Sequence, residues 1–347
     1  MSFYYLYFLL LSSSFLSFRF SNHLTSFFVA SLAFFLGYLR DYGPDTSSYV
    51  LIFSNYDNAI ESFFDGNIEP FWLFFSYFIN LLGLSPQFGF GLIAFLSAYV
   101  RTLAISIFFG DKRYLIFLGI IVFFSNDFIV RDLGQIRNGL MSSFLTLFLA
   151  LSLRKKETQK IIFSAIFSVI THISGLIGLI AYYLTYYRSL YVASIIGIIA
   201  AGITIVTLAE FFFGISNLQI LEKLVIYSSS ETYIGESSFP IFFILSSFIT
   251  IVGLLMFSYF DEIEKRLFLF YTFAPITFIT LFQFEVLSSR VSTIFTTINC
   301  LIIPIIIEKF ILRFKVEQRT VIYLSGLYIL IVILIYYLTN FVNTYSL

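Results

Sequence analysis

Apolar residues fill this chain in long blocks separated by short polar breaks. The blocks lie near 2–18, 24–39, 68–83, 88–109, 114–130, 138–153, 161–184, 190–209, 239–260, 267–284, 291–308 and 321–339. A helix needs about 20 apolar residues to cross the hydrocarbon core, so blocks of this size predict membrane spans. Lipid offers the backbone no hydrogen-bond partner, so the spans are expected to be helical. The pattern predicts an all-α integral membrane protein: a polytopic helical bundle with about 12 apolar segments, read over 1–347 as a single domain. One or two of the segments are candidates for a broken or re-entrant course, and the short block at 68–83 is the first of these. Polar connections near 40–69, 126–137 and 210–238 are expected as outer loops. No repeat of 20–50 residues stands out, and no inverted pair of broken segments, which counts against a secondary transporter.

Composition strengthens this picture. Of the 347 residues, 59% are hydrophobic and 12% charged, and a soluble fold of that length could not bury so many apolar groups. The N-terminal MSFYYLYFLL lacks a basic n-region and reads as a first span rather than a cleaved signal peptide. Net charge is zero, so no nucleic-acid footprint is visible. One cysteine, Cys300, excludes an intrachain disulfide, and two histidines with one cysteine argue against a His/Cys metal site. Walker, GxGxxG and HExxH patterns are lacking, so neither ATP-driven chemistry nor a soluble nucleotide-sugar mechanism has support.

Basic residues sort the loops. Connections at 19–23, 110–113, 154–160, 185–189, 261–266 and 309–319 hold 14 of the 20 Lys and Arg, which places them in the cytoplasm. Connections at 40–69, 126–137, 210–238 and 285–290 hold 13 of the 20 Asp and Glu but five Lys and Arg, and are expected outside. Residues 154–160 and 185–189 cannot both be cytoplasmic if 161–184 crosses once. A helix broken at the central THISG, entering and returning, resolves this, as does one loop that violates the rule. The same parity problem arises between 40–69 and 110–113, and the short block 68–83 is the natural place to resolve it.

The polar stretch Asn126–Gly139, NDFIVRDLGQIRNG, sits between two apolar runs. As a helix it would set Arg131, Gln135 and Asn138 on one face, with Arg137 about 120° round from it. Two arginines so placed suit two parts of a large anion such as a diphosphate. The other reading is that both snorkel at a membrane boundary. His172, inside IIFSAIFSVITHISGLIGLI, has the near-neutral pKa that suits proton transfer from a hydroxyl, or it glues helices together. Arg40 and Asp45 flank a turn at Gly43-Pro44. Asp45, Tyr49 and Glu69 are groups of the sort that grip sugar hydroxyls, or form a charged helix exit. Arg290 reads equally as an anion contact or an interfacial snorkel, and Arg101 reads as a cytoplasmic-side snorkel.

The ordered set of motifs resembles the EpsG family of bacterial exopolysaccharide proteins, which belongs with the Wzy-type O-antigen and capsule polymerases. Its carriers are Arg40, Gly43, Asp45 and Tyr49 in an R-x-x-G-x-D-x-x-x-Y run, then Glu69. Arg131, Arg137, Asn138 and Gly139 follow in R-x-x-x-x-x-R-N-G-L, then His172-Ile-Ser-Gly and a late Arg290. Ile136 stands where the family often has glutamine, and Gln135 precedes it.

The resemblance implies a membrane-embedded glycosyltransferase at the outer face of the bacterial inner membrane. It would join oligosaccharide repeat units carried on undecaprenyl diphosphate and need no cofactor or metal. Membrane lipid surrounds the site in this picture, and the flippase and chain-length regulator of the pathway would be partners. Arg131 and Arg137 would hold the diphosphate, and His172 would be base or orienter. Arg40, Asp45, Tyr49, Glu69, Gln135, Asn138 and Arg290 would contact substrate. Rival expectations are an O-antigen ligase using the same donor, and a flippase or other transporter. Charges that cluster near 40–69 and 126–175, rather than along many spans, favour a reaction site over a path.

Overall fold

The computed structural model describes residues 9, 12–40, 46–187, 189–199, 241–281 and 285–315. Among these residues the regular structure is entirely helical. Packing gathers the chain into two compact units, Met1–Leu176 with Asn299–Leu347, and Ile177–Ile298. The expected connection 210–238 and the expected span 321–339 lie outside the described residues, as does Asp45.

In the first unit, α1 (Asn22–Tyr38) packs along α5 (Pro86–Phe109). Ser21 caps α1 by accepting from the Leu24 amide, and Ser85 caps α5 by accepting from the Phe88 amide, with Pro86 in the first turn. Small residues let the two backbones approach. Ala30, Ala33 and Gly37 recur at i, i+3 and i+7 and are fully or largely buried. A Cβ built on Gly37 would stand 2.6 Å from the Phe90 carbonyl oxygen and from the Ala94 Cβ. α5 also packs on α7 (Ile136–Leu153), and α7 on α8 (Thr158–Thr171). α14 (Asn299–Phe314) lies against α6 (Arg113–Val122). Only α5 and α7, among the described residues, are single helices long and apolar enough to cross a membrane. The remaining apolar helices are shorter, so twelve separate spans are not what the described residues display.

Three sequence expectations change. Residues 40–69, expected as an outer loop, contain two short helices, α2 (Thr46–Ser54) and α3 (Tyr56–Phe64). Asn55 separates them and caps α3 by accepting from the Asp57 amide. Residues 126–137, also expected as an outer loop, are largely helical and buried. α6 runs without a break into a π-helical turn run, Phe123–Leu133, which gives way at Gly134 to α7. Gln135 has φ −126° and ψ 73°, outside the helical region, so Arg131 and Arg137 stand on different helices rather than on one. The expected span 291–308 is divided between α13 (Glu285–Thr296) and α14.

The break expected in 161–184 is present. α8 ends at Thr171, His172 is extended (φ −162°, ψ 129°), and α9 (Gly175–Leu184) begins three residues later. A Cβ on Gly175 would lie 2.5 Å from the Ser168 carbonyl oxygen, so the tight turn after His172 requires glycine there. The short block 68–83 forms α4 (Pro70–Leu81), closed by Gly83 at φ +61°.

The second unit holds α10 (Ser189–Ile199), α11 (Ile241–Met256), α12 (Glu262–Thr280) and α13. Asp261 and Glu264 form a reciprocal capping box at the start of α12. Within this unit the Arg266 guanidinium sits 4.1 Å from the centroid of the Tyr186 ring, a cation–π contact.

Because α1 and α5 touch backbone to side chain at Gly37, Gly37→Val is expected to destabilise the first unit by about 1–3 kcal/mol through overpacking. The same change at Gly66, whose Cβ position is open, tests only its positive φ of 69° and provides the comparison. Thermal unfolding of the detergent-solubilised chain checks this; an unchanged midpoint for Gly37→Val would contradict the close crossing.

Candidate functional site

Two of the charge clusters in the first unit involve the expected site residues, one sealed and one half open. The sealed cluster centres on Asp127, on the π-helical run. Asp127 lies 3.5 Å from Arg131, one turn on, and 3.5 Å from Arg101 on α5. Its side chain is 1% exposed and that of Arg101 is fully buried. Arg101 also donates from Nε to Ser143 Oγ on α7 at 3.2 Å, and its guanidinium lies 5.1 Å from the Phe123 ring centroid. Ser143 shares a 2.7 Å hydrogen bond with Ser97, and Ser97 donates to the Asp132 carboxylate. Asp127 is thus paired with two arginines inside the helix bundle, and Asp132 is held beside them by Ser97. Arg101 is therefore no snorkelling residue, because its charge is drawn inward to Asp127.

This cluster explains how a polar stretch lies buried. Ionisable groups within apolar surroundings are tolerated when paired and hydrogen-bonded. The pairing also sets where α7 begins. A Cβ on Gly139 would come within 2.6 Å of the Asp132 Cα and 2.9 Å of the Arg131 carbonyl oxygen, so the π-helical run lies directly against the first turn of α7.

The half-open cluster centres on Glu69, the residue before Pro70 at the start of α4. Its carboxylate makes no capping bond to α4. Instead His172 Nδ1 lies 2.6 Å from Oε1, and Arg137 Nη1 lies 3.5 Å from Oε2. Arg137 also donates to the Asn67 carbonyl oxygen at 2.7 Å and sits 5.9 Å from the centroid of the Tyr49 ring. Side-chain exposure is 30% for Arg137, 24% for His172 and 15% for Glu69, against 5% for Arg131. Burial opposes ionisation of Glu69. The hydrogen bond from His172 and the neighbouring charge of Arg137 outweigh it, and hold the carboxyl below its ordinary range.

Buried aromatics form the floor. Trp72 is fully buried, its ring 5.3 Å from Tyr49, and Nε1 donates to the Thr171 carbonyl oxygen at 2.8 Å. The end of α8 is thereby tied to α4 immediately before His172. Tyr49 is 2% exposed, so it supports Arg137 from below rather than facing solvent.

The structure therefore brings together His172, Arg137, Glu69 and Tyr49. Gln135 and Asn138 join each other through a 2.9 Å side-chain bond at the start of α7. Arg40 is buried and ties the chain down by donating to Thr46 Oγ1 at 2.8 Å and the Gly134 carbonyl oxygen at 3.4 Å. Arg290 lies exposed on α13, in the second unit. Asp127, Asp132 and Arg101 were not anticipated as a cluster. The signal in the sequence was the Asp127–Arg131 spacing of four, a helical ion-pair spacing within an apolar neighbourhood. No group of three or more His, Cys, Asp or Glu side chains able to hold a metal ion occurs among the described residues.

The sequence model of the EpsG family matches residues 22–347, nearly the whole chain. No curated protein and no solved structure matches it.

Removing one partner of a buried pair strands the other, a loss of about 3–5 kcal/mol, whereas a half-exposed pair contributes about 0–1 kcal/mol. Arg101→Met is thus expected to lower the unfolding midpoint far more than Arg137→Met, and Arg101→Met with Asp127→Asn to recover part of the loss. Equal effects of the two single changes on thermal unfolding would show that the inner cluster does not carry the bundle.

Proposed function

We propose that this chain, which belongs to the EpsG family, is a polymerase of lipid-linked repeat units. Membership makes it a membrane protein of the Wzy-like polymerase or related glycan-processing kind. The finer reading is ours. The donor is a growing glycan on undecaprenyl diphosphate, the acceptor a new lipid-linked unit, and the place the outer face of the inner membrane. The flippase and chain-length regulator of the pathway act beside it. The observation that carries this reading is the half-open meeting of a cation, Arg137, with an imidazole, His172, at the broken end of α8.

The reaction needs two services. The acceptor hydroxyl must lose its proton as its oxygen bonds to the anomeric carbon, and the anomeric C–O bond to diphosphate must break with the electron pair leaving on oxygen. His172 takes the proton, and the imidazolium later releases it to water. Arg137 meets the negative charge that develops on the diphosphate, since a guanidinium binds phosphate oxygens in bidentate fashion. The amino end of α7 adds positive potential beside it. Arg131 contributes from inside: its backbone abuts Gly139, two residues beyond Arg137. Gln135, Asn138, Arg40, Asp45 and Tyr49 serve as supporting or substrate contacts in this reading. The leaving group arrives activated, so no nucleotide is consumed.

The test is complementation in the host. Deletion of the gene is expected to leave single repeat units on the anchor, and the wild-type gene to restore a ladder on a polysaccharide gel. At matched membrane levels His172→Ala should slow chain growth by roughly 10²–10⁴-fold and Arg137→Ala by roughly 10²–10³-fold, the usual loss of a base and of one charge-stabilising donor. Long polymer left on the lipid diphosphate in the deletion strain would point to a ligase instead, and absence of flipped precursor to transport. A full ladder from both variants would remove this site from the chemistry.

A further inference from the structure

We infer that Glu69 is the positioning residue of this site: one carboxylate sets the His172 imidazole through Nδ1 and draws Arg137 to the same place. The inference rests on the reading of His172 as the base, and it assigns Glu69 a task other than the sugar contact its residue type suggested.

Four observations converge. First, Glu69 occupies the capping position of α4 but does not cap it, and Pro70 has no amide hydrogen to offer. Second, Oε1 stands 2.6 Å from His172 Nδ1. An ionised carboxylate only accepts hydrogen bonds, so Nδ1 carries the proton and the neutral ring keeps its lone pair on Nε2. A base that must take a proton from a hydroxyl needs that lone pair. Third, the other oxygen, Oε2, faces Arg137 Nη1 at 3.5 Å. The carboxylate therefore spans the proposed base and the proposed anion contact. Fourth, the geometry is built from the fold. Trp72 follows Glu69 by three residues, Thr171 directly precedes His172, and the 2.8 Å bond from the Trp72 indole to the Thr171 carbonyl fixes the two backbones in register. Trp72 is wholly buried, so that anchor is sealed from water even though the imidazole is 24% exposed.

The sequence supplies a direct test, since His23 and His172 are the only histidines. His23 is exposed at the start of α1, and its ring is 3.4 Å from the Tyr99 hydroxyl. His23→Asn leaves His172 as the only imidazole in the 347 residues. Nitrogen-15 histidine spectra in lipid nanodiscs, at about two pH units above the ordinary imidazole pKa, report which ring nitrogen carries the proton. The expected result is protonated Nδ1 and bare Nε2. In Glu69→Met, which has no acceptor, the Nδ1–H form should fall from dominant to minor. In Glu69→Gln, whose side-chain oxygen still accepts, it should largely persist. Protonated Nε2 in the wild-type ring overturns the inference without any variant, and so does an unaltered ring in a folded Glu69→Met chain.

Growth of polymer then separates the inference from the reaction beneath it. Glu69→Met is expected to lose the ladder about as severely as His172→Ala, with Glu69→Gln partly active. A shifted tautomer with an intact ladder would uphold Glu69 as the residue that orients His172 and would sink His172 as the base.

Discussion

Charge that enters a helix bundle must be neutralised there, and the first unit is arranged around that constraint. Asp127 stands between two arginines, one on α5 and one on its own helix, and Asp132 is held by the Ser97–Ser143 pair. Desolvation of an unpaired ion in such surroundings costs several kcal/mol, so Asp127 and its two arginines are not separable from one another. The partners come from α5, the π-helical run and α7. Their meeting fixes three elements at once, which is what a shallow, non-directional apolar contact cannot do.

The open cluster depends on the sealed one through Gly139. The Arg131–Asp132 backbone presses on the first turn of α7, and that turn carries Arg137. Where the π-helical run stops, Gly134 and Gln135 redirect the chain, and Arg40 accepts the task of holding the corner by donating to the Gly134 carbonyl. On the other side, the Trp72 indole fixes the end of α8 and so the backbone at His172. The Glu69 carboxylate thus receives its two partners from elements that are each anchored by buried polar bonds. π-helical turns and broken helices both recur at functional sites because they release polar groups from the regular ladder, and here one of each flanks the same carboxylate.

Much of the fold was legible because hydropathy reports burial directly. The helices at Asn22–Tyr38, Pro86–Phe109 and Ile136–Leu153 fall where apolar blocks run. The break at His172 was legible for a second reason: polar residues and a glycine interrupt an apolar run whose basic flanks allowed either a broken helix or one loop that violates the charge rule. Two kinds of feature were not legible. A polar stretch reads as a loop when its charges are counted singly, and the helical course beyond the apolar block 114–130 goes with the pairing of Asp127 to Arg101, a residue 26 positions away. The fate of a single arginine is likewise set by tertiary distance, so Arg101 looked like a membrane-edge residue and is the most deeply held cation of the cluster. Glu69, Arg137 and His172 were all marked by their motifs, but the contact of Glu69 with His172, 103 residues on, could not be read from the sequence.

The contrast between the two clusters also orders their chemistry. Opposite charges 4 Å apart attract by about 1 kcal/mol in water and about 4 kcal/mol near a protein surface, and more as water is excluded. Arg131 and Arg101 sit where that attraction is strong and their carboxylate cannot be replaced by an incoming ligand. Arg137 shares Glu69 at 3.5 Å with its side chain 30% exposed, so an anion can compete for it at small cost. A charge that is to be exchanged during turnover has to be held weakly, and a charge that holds the framework has to be held strongly. On the proposed reading the same residue type serves two ends in this chain, and exposure, rather than motif position, separates Arg137 from Arg131 and Arg101.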